Sequence, residues 1–214
     1  MTADMPTPSP TTAPGRQRFT DEALLDAAAR VFYARGYHAA QMTDLAEAAG
    51  TTKPTLYARL GSKQELYIRV LEREAGLLTG FLYSSYENAA RRPLSEMIEI
   101  SMLAFFRYAR DRRAGFELLF RGEPSAPGQQ VGERAMQQVT AELAKLFADF
   151  NHRAGRPDSP ADPLLAAAGV GVARQVCQYA LDHGHDLETA GALASSFTEA
   201  GLRGISSSLT APHP

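Results

Sequence analysis

The sequence predicts an all-α protein: an N-terminal helix-turn-helix unit of three helices, joined by a shared helix to a C-terminal helical bundle. Three observations predict it. Apolar residues recur at helical spacing from Leu24 to Ile205, with no strand pattern of any length between them. Capping signals punctuate that pattern, among them Ser62-Lys63-Gln64-Glu65, with serine at the N-cap and glutamate three residues on. Two very short helices meet across Gly50, and neither has the length or apolar area to be stable alone. There is no internal repeat.

Residues 1–15 carry four prolines among Thr, Ser and Ala and are read as a disordered arm. Thr20 can cap a first helix, with Asp21 and Glu22 in its first turn. Leu24, Leu25, Ala28, Val31 and Phe32 form its apolar stripe, and Gly36 is expected to end it. The first short helix runs from Met42 to about Ala49, with Met42, Leu45, Ala46 and Ala49 on one face. Gln41 stands where a capping Ser or Thr would be worth ~1 kcal/mol. Gly50 supplies a left-handed turn. Thr52 caps the second short helix, Pro54 falls in its first turn, and Leu56 and Leu60 face inward.

The capping-box helix follows, with Leu66, Val70, Leu77 and Phe81 read as its apolar residues. The next helix spans Glu96 to Arg112, with Ile98, Met102, Phe105 and Ala109 on one face. A short apolar piece covers Phe116 to Phe120, and Arg121 to Gly128 is a loop with two prolines. Gln129 to Arg153 is a long helix carrying Met136, Val139, Leu143, Leu146, Phe147 and Phe150 in register. Asp162-Pro163 reads as an N-cap followed by proline at the first helical position. That helix runs to about His183 and stops at Gly184, and Asp186 can cap a last helix to about Ser207. The expected division is an arm at 1–15, the helix-turn-helix unit at 16–72 and the bundle at 73–209.

A short helix pair of this kind holds its second helix at a fixed angle, most commonly for entry into a DNA major groove. The N-terminal part of that second helix reads base edges. Thr52, Lys53, Pro54, Thr55, Tyr57, Ala58 and Arg59 are left at its start or on its outward faces, with Thr43 on the helix before it. Ala58 can only touch a thymine methyl. Lys63, at a capped helix N-terminus, suits a backbone phosphate. Arg16 and Arg18 are read either as a solvated tail or as reaching a minor groove.

Residues 18–72 resemble the DNA-binding domain of TetR-type transcriptional regulators. The resemblance rests on Ala27-Ala28-Ala29-Arg30-Val31-Phe32 with Gly36-Tyr37, then Asp44-Leu45-Ala46 with Ala49-Gly50, then Lys53, Thr55-Leu56-Tyr57, Ser62-Lys63 and Leu66. Gln41, Ala58 and Leu60 depart from the family's usual residues. The resemblance implies a ligand-responsive regulator, most simply a homodimeric repressor on a palindromic double-stranded DNA operator. It also implies that the last two helices pair with their twins in a dimer. An activator, or a DNA binder without an inducer, is the alternative, and a small-molecule-binding or enzymatic protein with a vestigial helix-turn-helix is the rival from another class.

The net charge of −2 alone argues against nucleic acid. Residues 16–77, however, carry nine Arg/Lys against eight Asp/Glu, and a few well-aimed cations per half suffice for a dimer. Cys177 is the only cysteine, so no intrachain disulfide forms. It reads as a buried small hydrophobe. The N-terminus lacks a signal-peptide pattern, and the longest apolar run, from Pro163 to Ala173, is too short to span a bilayer. A cytoplasmic protein without membrane association is expected.

The last two helices are rich in Ala and Gly, including Gly169, Gly171, Gly191, Gly201 and Gly204. Close helix approach explains such residues, either within the chain or across a dimer. Residues 81–179 hold eleven of the eighteen Phe and Tyr, together with Met97, Met102 and Met136. That supply suits either a core or a cavity for a mainly apolar small-molecule effector. Phe106, Phe120, Phe147, Gln175 and Tyr179 are the candidate ligand-binding residues. The polar Arg174, Gln175, Gln178 and Tyr179 could equally meet a partner subunit. His183, His185, Asp182 and Asp186 bunch around Gly184, but a helix end and a cap account for them, so no metal site is assigned. No phosphate loop, nucleophile elbow, HExxH or dinucleotide fingerprint appears, so no catalytic residue and no cofactor is expected.

Overall fold

The computed structural model describes residues 20–157 and 159–205. The expectations for residues 1–19, among them Arg16 and Arg18, lie outside the described residues, as does the end of the last helix beyond Ile205. Among the described residues the chain is helical throughout. The helices are α1 (Asp21–Ala39), α2 (Met42–Ala48), α3 (Lys53–Leu60), α4 (Lys63–Ala89), α5 (Leu94–Asp111), α6 (Arg113–Arg121), α7 (Gln130–Arg153), α8 (Asp162–His183) and α9 (Leu187–Ile205).

Local chemistry sets most of these ends. Thr20 accepts from the Ala23 N–H, and Ser62 and Glu65 form the reciprocal capping box of α4. Gly50 and Gly184 take φ of +62° and +68° at the turns where left-handed backbone was expected. Gln41 is not without help: Asp44 Oδ2 accepts its backbone N–H at 3.0 Å.

Gly36 breaks the regular helix where its end was expected: it sits at φ +78° and ψ 165°, and a short kinked continuation runs to Ala39. A Cβ at Gly36 would collide with the Glu123 carboxylate, so this glycine also admits the loop after α6. Asp162 is not the cap of α8. It lies buried in the first turn, where Asn151 Nδ2 donates to its carboxylate at 3.1 Å.

The α4 stripe differs from the expected one. Leu66, Val70, Leu78 and Leu82 are buried, while Leu77 and Phe81 are exposed. Leu77 and Phe81 are offset from that stripe by one residue, about 100° around the helix. The buried face of α4 carries α1 and α6 at its N-terminal half and α5 and α7 along its length. One continuous core runs from Leu24, Phe32 and Leu56 through α4 to Phe105, Phe116, Val139 and Ala173. Beyond it, α9 packs on α5 and α8, and α8 packs on α7. At 22 residues α8 is long and apolar enough to cross a membrane by length and composition, which its shorter unbroken apolar run concealed. Its Ala166, Gly169, Ala173, Cys177 and Ala180 nevertheless form a buried stripe against the bundle.

Candidate nucleic-acid interface and bundle cavity

Leu45, Leu56 and Leu60 are fully buried and lock α2 and α3 against α1 and α4. The Arg35–Asp44 ion pair at 2.8 Å adds a tie from α1 to α2. This anchoring leaves the rest of α3 open to solvent. Thr43, Thr52, Lys53, Pro54, Thr55, Tyr57, Ala58 and Arg59 are all exposed. Thr52 Oγ1 accepts from the Thr55 N–H, and the two hydroxyls lie 2.9 Å apart, so both are positioned by the cap itself. Tyr57 stands 49 % exposed. Lys53 has no carboxylate partner among the described residues. The Arg59 guanidinium pairs with Asp21 at the start of α1.

Lys63 departs from expectation. Its ammonium does not extend from the α4 N-terminus toward solvent. It donates to the carbonyls of Tyr37 and Ala40, each at 3.0 Å, and of His38 at 3.3 Å, and lies 4.7 Å from the centre of the Tyr37 ring. A cation at the carbonyl end of a helix is favoured by the helix dipole. Lys63 therefore closes the C-terminus of α1.

Sequence reasoning missed a buried ion cluster that ties α1 to the bundle. Glu74 is fully buried in α4. Arg112, between α5 and α6, donates to it at 2.6 and 2.9 Å, and Arg73 at 3.2 Å. The Tyr108 hydroxyl donates to the Glu74 backbone carbonyl at 2.9 Å. Asp26 of α1 pairs with Arg73 at 2.8 Å and Arg112 at 3.2 Å. Burial works to raise the Asp26 pKa, but Arg73 and Arg112 outweigh it and hold the carboxyl below its ordinary value. Burial and then the Glu74 charge push the Tyr108 phenol up. A Cβ on Gly115 would overlap the Glu74 side chain, so that glycine makes room for the carboxylate. A signal was present: Val70, Glu74 and Leu78 are four apart, which places a glutamate on the apolar stripe of α4.

A narrow cleft of about 40 Å³, partly open to solvent, lies among α4, α5, α7, α8 and α9. That is well below the roughly 300–1,000 Å³ usual for ligand sites, so a ligand would have to widen the cleft by moving its walls. Met97, Met102, Phe105, Leu143 and Phe147 give it an apolar wall, and Tyr86 and Thr198 add hydroxyls. Ser101 Oγ is buried on this wall without a hydrogen-bond partner among the described residues.

Of the expected lining, Phe147 is present. Phe106 is instead core, packed where a Cβ on Gly191 would touch it at 3.1 Å. Phe120 stacks edge-on to Phe116 and faces a different cleft. Gln175 and Tyr179 are exposed. Each lies two residues from Cys177, about 200° around α8 from its buried stripe. Tyr179 stacks on His183 with ring centroids 4.0 Å apart, while Asp182 pairs with Arg121 and Asp186 caps α9. Cys177 is fully buried, and burial pushes its thiol up to about 12.

Comparison with known proteins locates this architecture. Residues 24–70 match the family described as bacterial regulatory proteins, tetR family. The chain is 37 % identical over 101 residues to the HTH-type transcriptional activator FasR of Mycolicibacterium smegmatis, covering 47 % of this chain and 45 % of that protein. It is 43 % identical over 60 residues to the HTH-type transcriptional repressor ComR of Escherichia coli, covering 28 % of this chain and 29 % of that one. The chain thus spans less than half the length of these curated relatives. Over 86 % of this chain and 96 % of the other, the fold superposes on a TetR-like transcriptional regulator from Rhodococcus sp. RHA1 with a TM-score of 0.65 and 26 % identity. The helix-turn-helix segment thus matches the tetR family of bacterial regulatory proteins, and the all-helical fold around it is similar to that of a TetR-like transcriptional regulator.

Proposed function

We propose that the protein is a homodimeric, ligand-responsive transcriptional repressor. Residues 16–72 form its reading head and residues 73–209 its regulatory unit. The observation that carries the reading is the exposed face of α3 on a helix pair joined, through the unbroken α4, to a bundle that contains an apolar cleft. Lys53, Thr55 and Tyr57 contact base edges, and Thr43, Thr52 and Pro54 position α3 on the duplex. Arg59 stays tied to Asp21 and orients α3 against α1.

One reading head covers a half-site, so a palindrome with half-sites about 34–36 Å apart needs a dimer. The α8–α9 face supports one. Leu164, Leu193 and Phe197 are 72, 68 and 67 % exposed, and Gly171, Gly201 and Gly204 each open onto empty space. An exposed apolar patch of this kind marks an interface. A mainly apolar small molecule in the cleft would shift α4 and release the operator. A coupling of ~1–3 kcal/mol gives a 5–150-fold change in affinity.

Selection of bound DNA from a random pool by the full chain is expected to enrich one palindrome. An unenriched pool overturns the reading. Light scattering is expected to show a dimer at micromolar concentration and a monomer for Gly201→Leu, and a monomeric wild type removes the interface. Decanol is expected to weaken binding to the selected DNA. Tighter binding with decanol favours the second reading, an activator, as one relative is named.

A further inference from the structure

A second pair of clefts lies away from the bundle cavity, where the loop after α6 crosses the junction of α1, α4 and α6. Their cavities measure about 240 and 130 Å³, are partly open to solvent, and share Tyr67, Leu118, Gly122 and Glu123. Their arrangement is that of a built site. Tyr67 is 1 % exposed, its ring packed against Phe32 and Tyr37 at 4.8 and 4.9 Å. Among the described residues its hydroxyl has no hydrogen-bond partner. That oxygen is not sealed in the core but opens onto the cleft. Gly122 keeps the space over that hydroxyl clear. Its φ of −56° and ψ of 157° suit any residue, yet a Cβ there would stand 3.1 Å from Tyr67 Oη.

The acids around the clefts are not equivalent. Glu117 is held by Arg113 and Arg121, and Glu133 by Arg174. Among the described residues Glu123 has no Arg or Lys partner. Among the described residues its carboxylate accepts only the His38 N–H at 3.3 Å and faces the His38 ring at 3.6 Å. With Glu117 and Glu133 matched by arginines, the charge left at the rim is the Glu123 carboxylate, which disfavours an anion there. An unpaired carboxylate, an unused phenol oxygen and the Phe120 ring favour an ammonium with a flat apolar body.

We infer that this junction is a second small-molecule site, separate from the bundle cavity, that binds a compact organic cation through Glu123 and Tyr67. The site also touches the reading head. Ser125 Oγ lies 2.8 Å from His38 Nε2, so the loop bearing Glu123 holds the end of α1. A cation that takes Glu123 draws it from His38 and loosens that hold. This last consequence rests on the DNA-binding reading above, whereas the binding itself does not.

The test is isothermal titration of the full chain, without DNA, with phenethylamine and with phenylacetate. Phenethylamine is expected to bind saturably and phenylacetate not to bind. Glu123→Gln should weaken the amine at least about tenfold, the size expected when a charge-assisted hydrogen bond is lost. Tyr67→Phe, which keeps the ring, and Gly122→Val, which fills the space over it, should each weaken it as well. Ser101→Leu, in the bundle cavity, should leave it unchanged. Absence of saturable amine binding overturns the inference. So does equal affinity in folded Glu123→Gln and Gly122→Val, or loss of binding in Ser101→Leu alone. Failure to select an operator would leave these titrations intact, so the two readings fail separately.

Discussion

Lys63 shows how one side chain's role depends on where its far end reaches. Its place at a capped N-terminus suggests a phosphate contact, but three carbonyls at the end of α1 take its ammonium. Lys63→Ala is therefore expected to lower the unfolding free energy by about 1–2 kcal/mol, the scale of hydrogen bonds from a charged group. The dependence of DNA affinity on salt should stay close to that of the wild type. A salt slope reduced by about 0.9 would restore the phosphate role. Denaturant titration and binding at several salt concentrations measure the two effects. Cys177 illustrates the opposite case. Its burial on α8 was legible from the apolar residues around it, and the raised thiol pKa follows from that burial alone.

At the scale of elements, two phenylalanines on neighbouring helices should respond differently to truncation. Phe116 on α6 is fully buried and meets Phe105 and Phe120 edge-on. Phe116→Ala is expected to cost about 3–5 kcal/mol, the range for a phenylalanine removed from close-packed core. Phe147 on α7 borders the cleft on one side, so it has fewer neighbours to lose. Phe147→Ala is expected to cost less than about 3 kcal/mol, and the response of DNA affinity to decanol should change with it. Urea unfolding of both variants checks the contrast, and equal losses would mean that the cleft closes in solution. The glycines of α9 divide in the same way. Gly191 packs against Leu103 and Phe106 within the chain, while Gly201 and Gly204 open outward.

At the scale of the whole molecule, the Glu74 cluster is a buried polar tie between α1 and the bundle. Removing one partner of a buried pair costs about 3–5 kcal/mol, because the remaining charges stay buried. Glu74→Gln is expected to show a loss of this size in denaturant unfolding. The sign of the pH dependence follows from Asp26. Its pKa in the folded chain lies below the unfolded value of about 3.9, so it contributes stability above that pH. That contribution is lost as the pH falls through the lower folded value. Melting temperature should therefore fall on acidification below about pH 4, and Asp26→Asn should flatten part of that limb. An unchanged acid limb in Asp26→Asn would mean that other carboxylates govern it.

The sequence by itself determined the helical class, the order of the helices and the helix-turn-helix segment. Their signals are local: Thr20, Thr52 and Ser62 cap within three residues, Gly50 and Gly184 turn within one, and Leu56 and Leu60 mark a face within four. Such signals act through backbone geometry and need no distant partner. The outward face of α3 was legible for the same reason. Only the tertiary structure decided that Lys63 closes α1, that Asp26, Arg73, Glu74 and Arg112 meet, and that Phe147 borders a cleft while Phe106 does not. Helical spacing assigns a residue to a buried or exposed face. It does not specify what stands opposite, and a cavity is the space that several helices, far apart in the chain, leave between them.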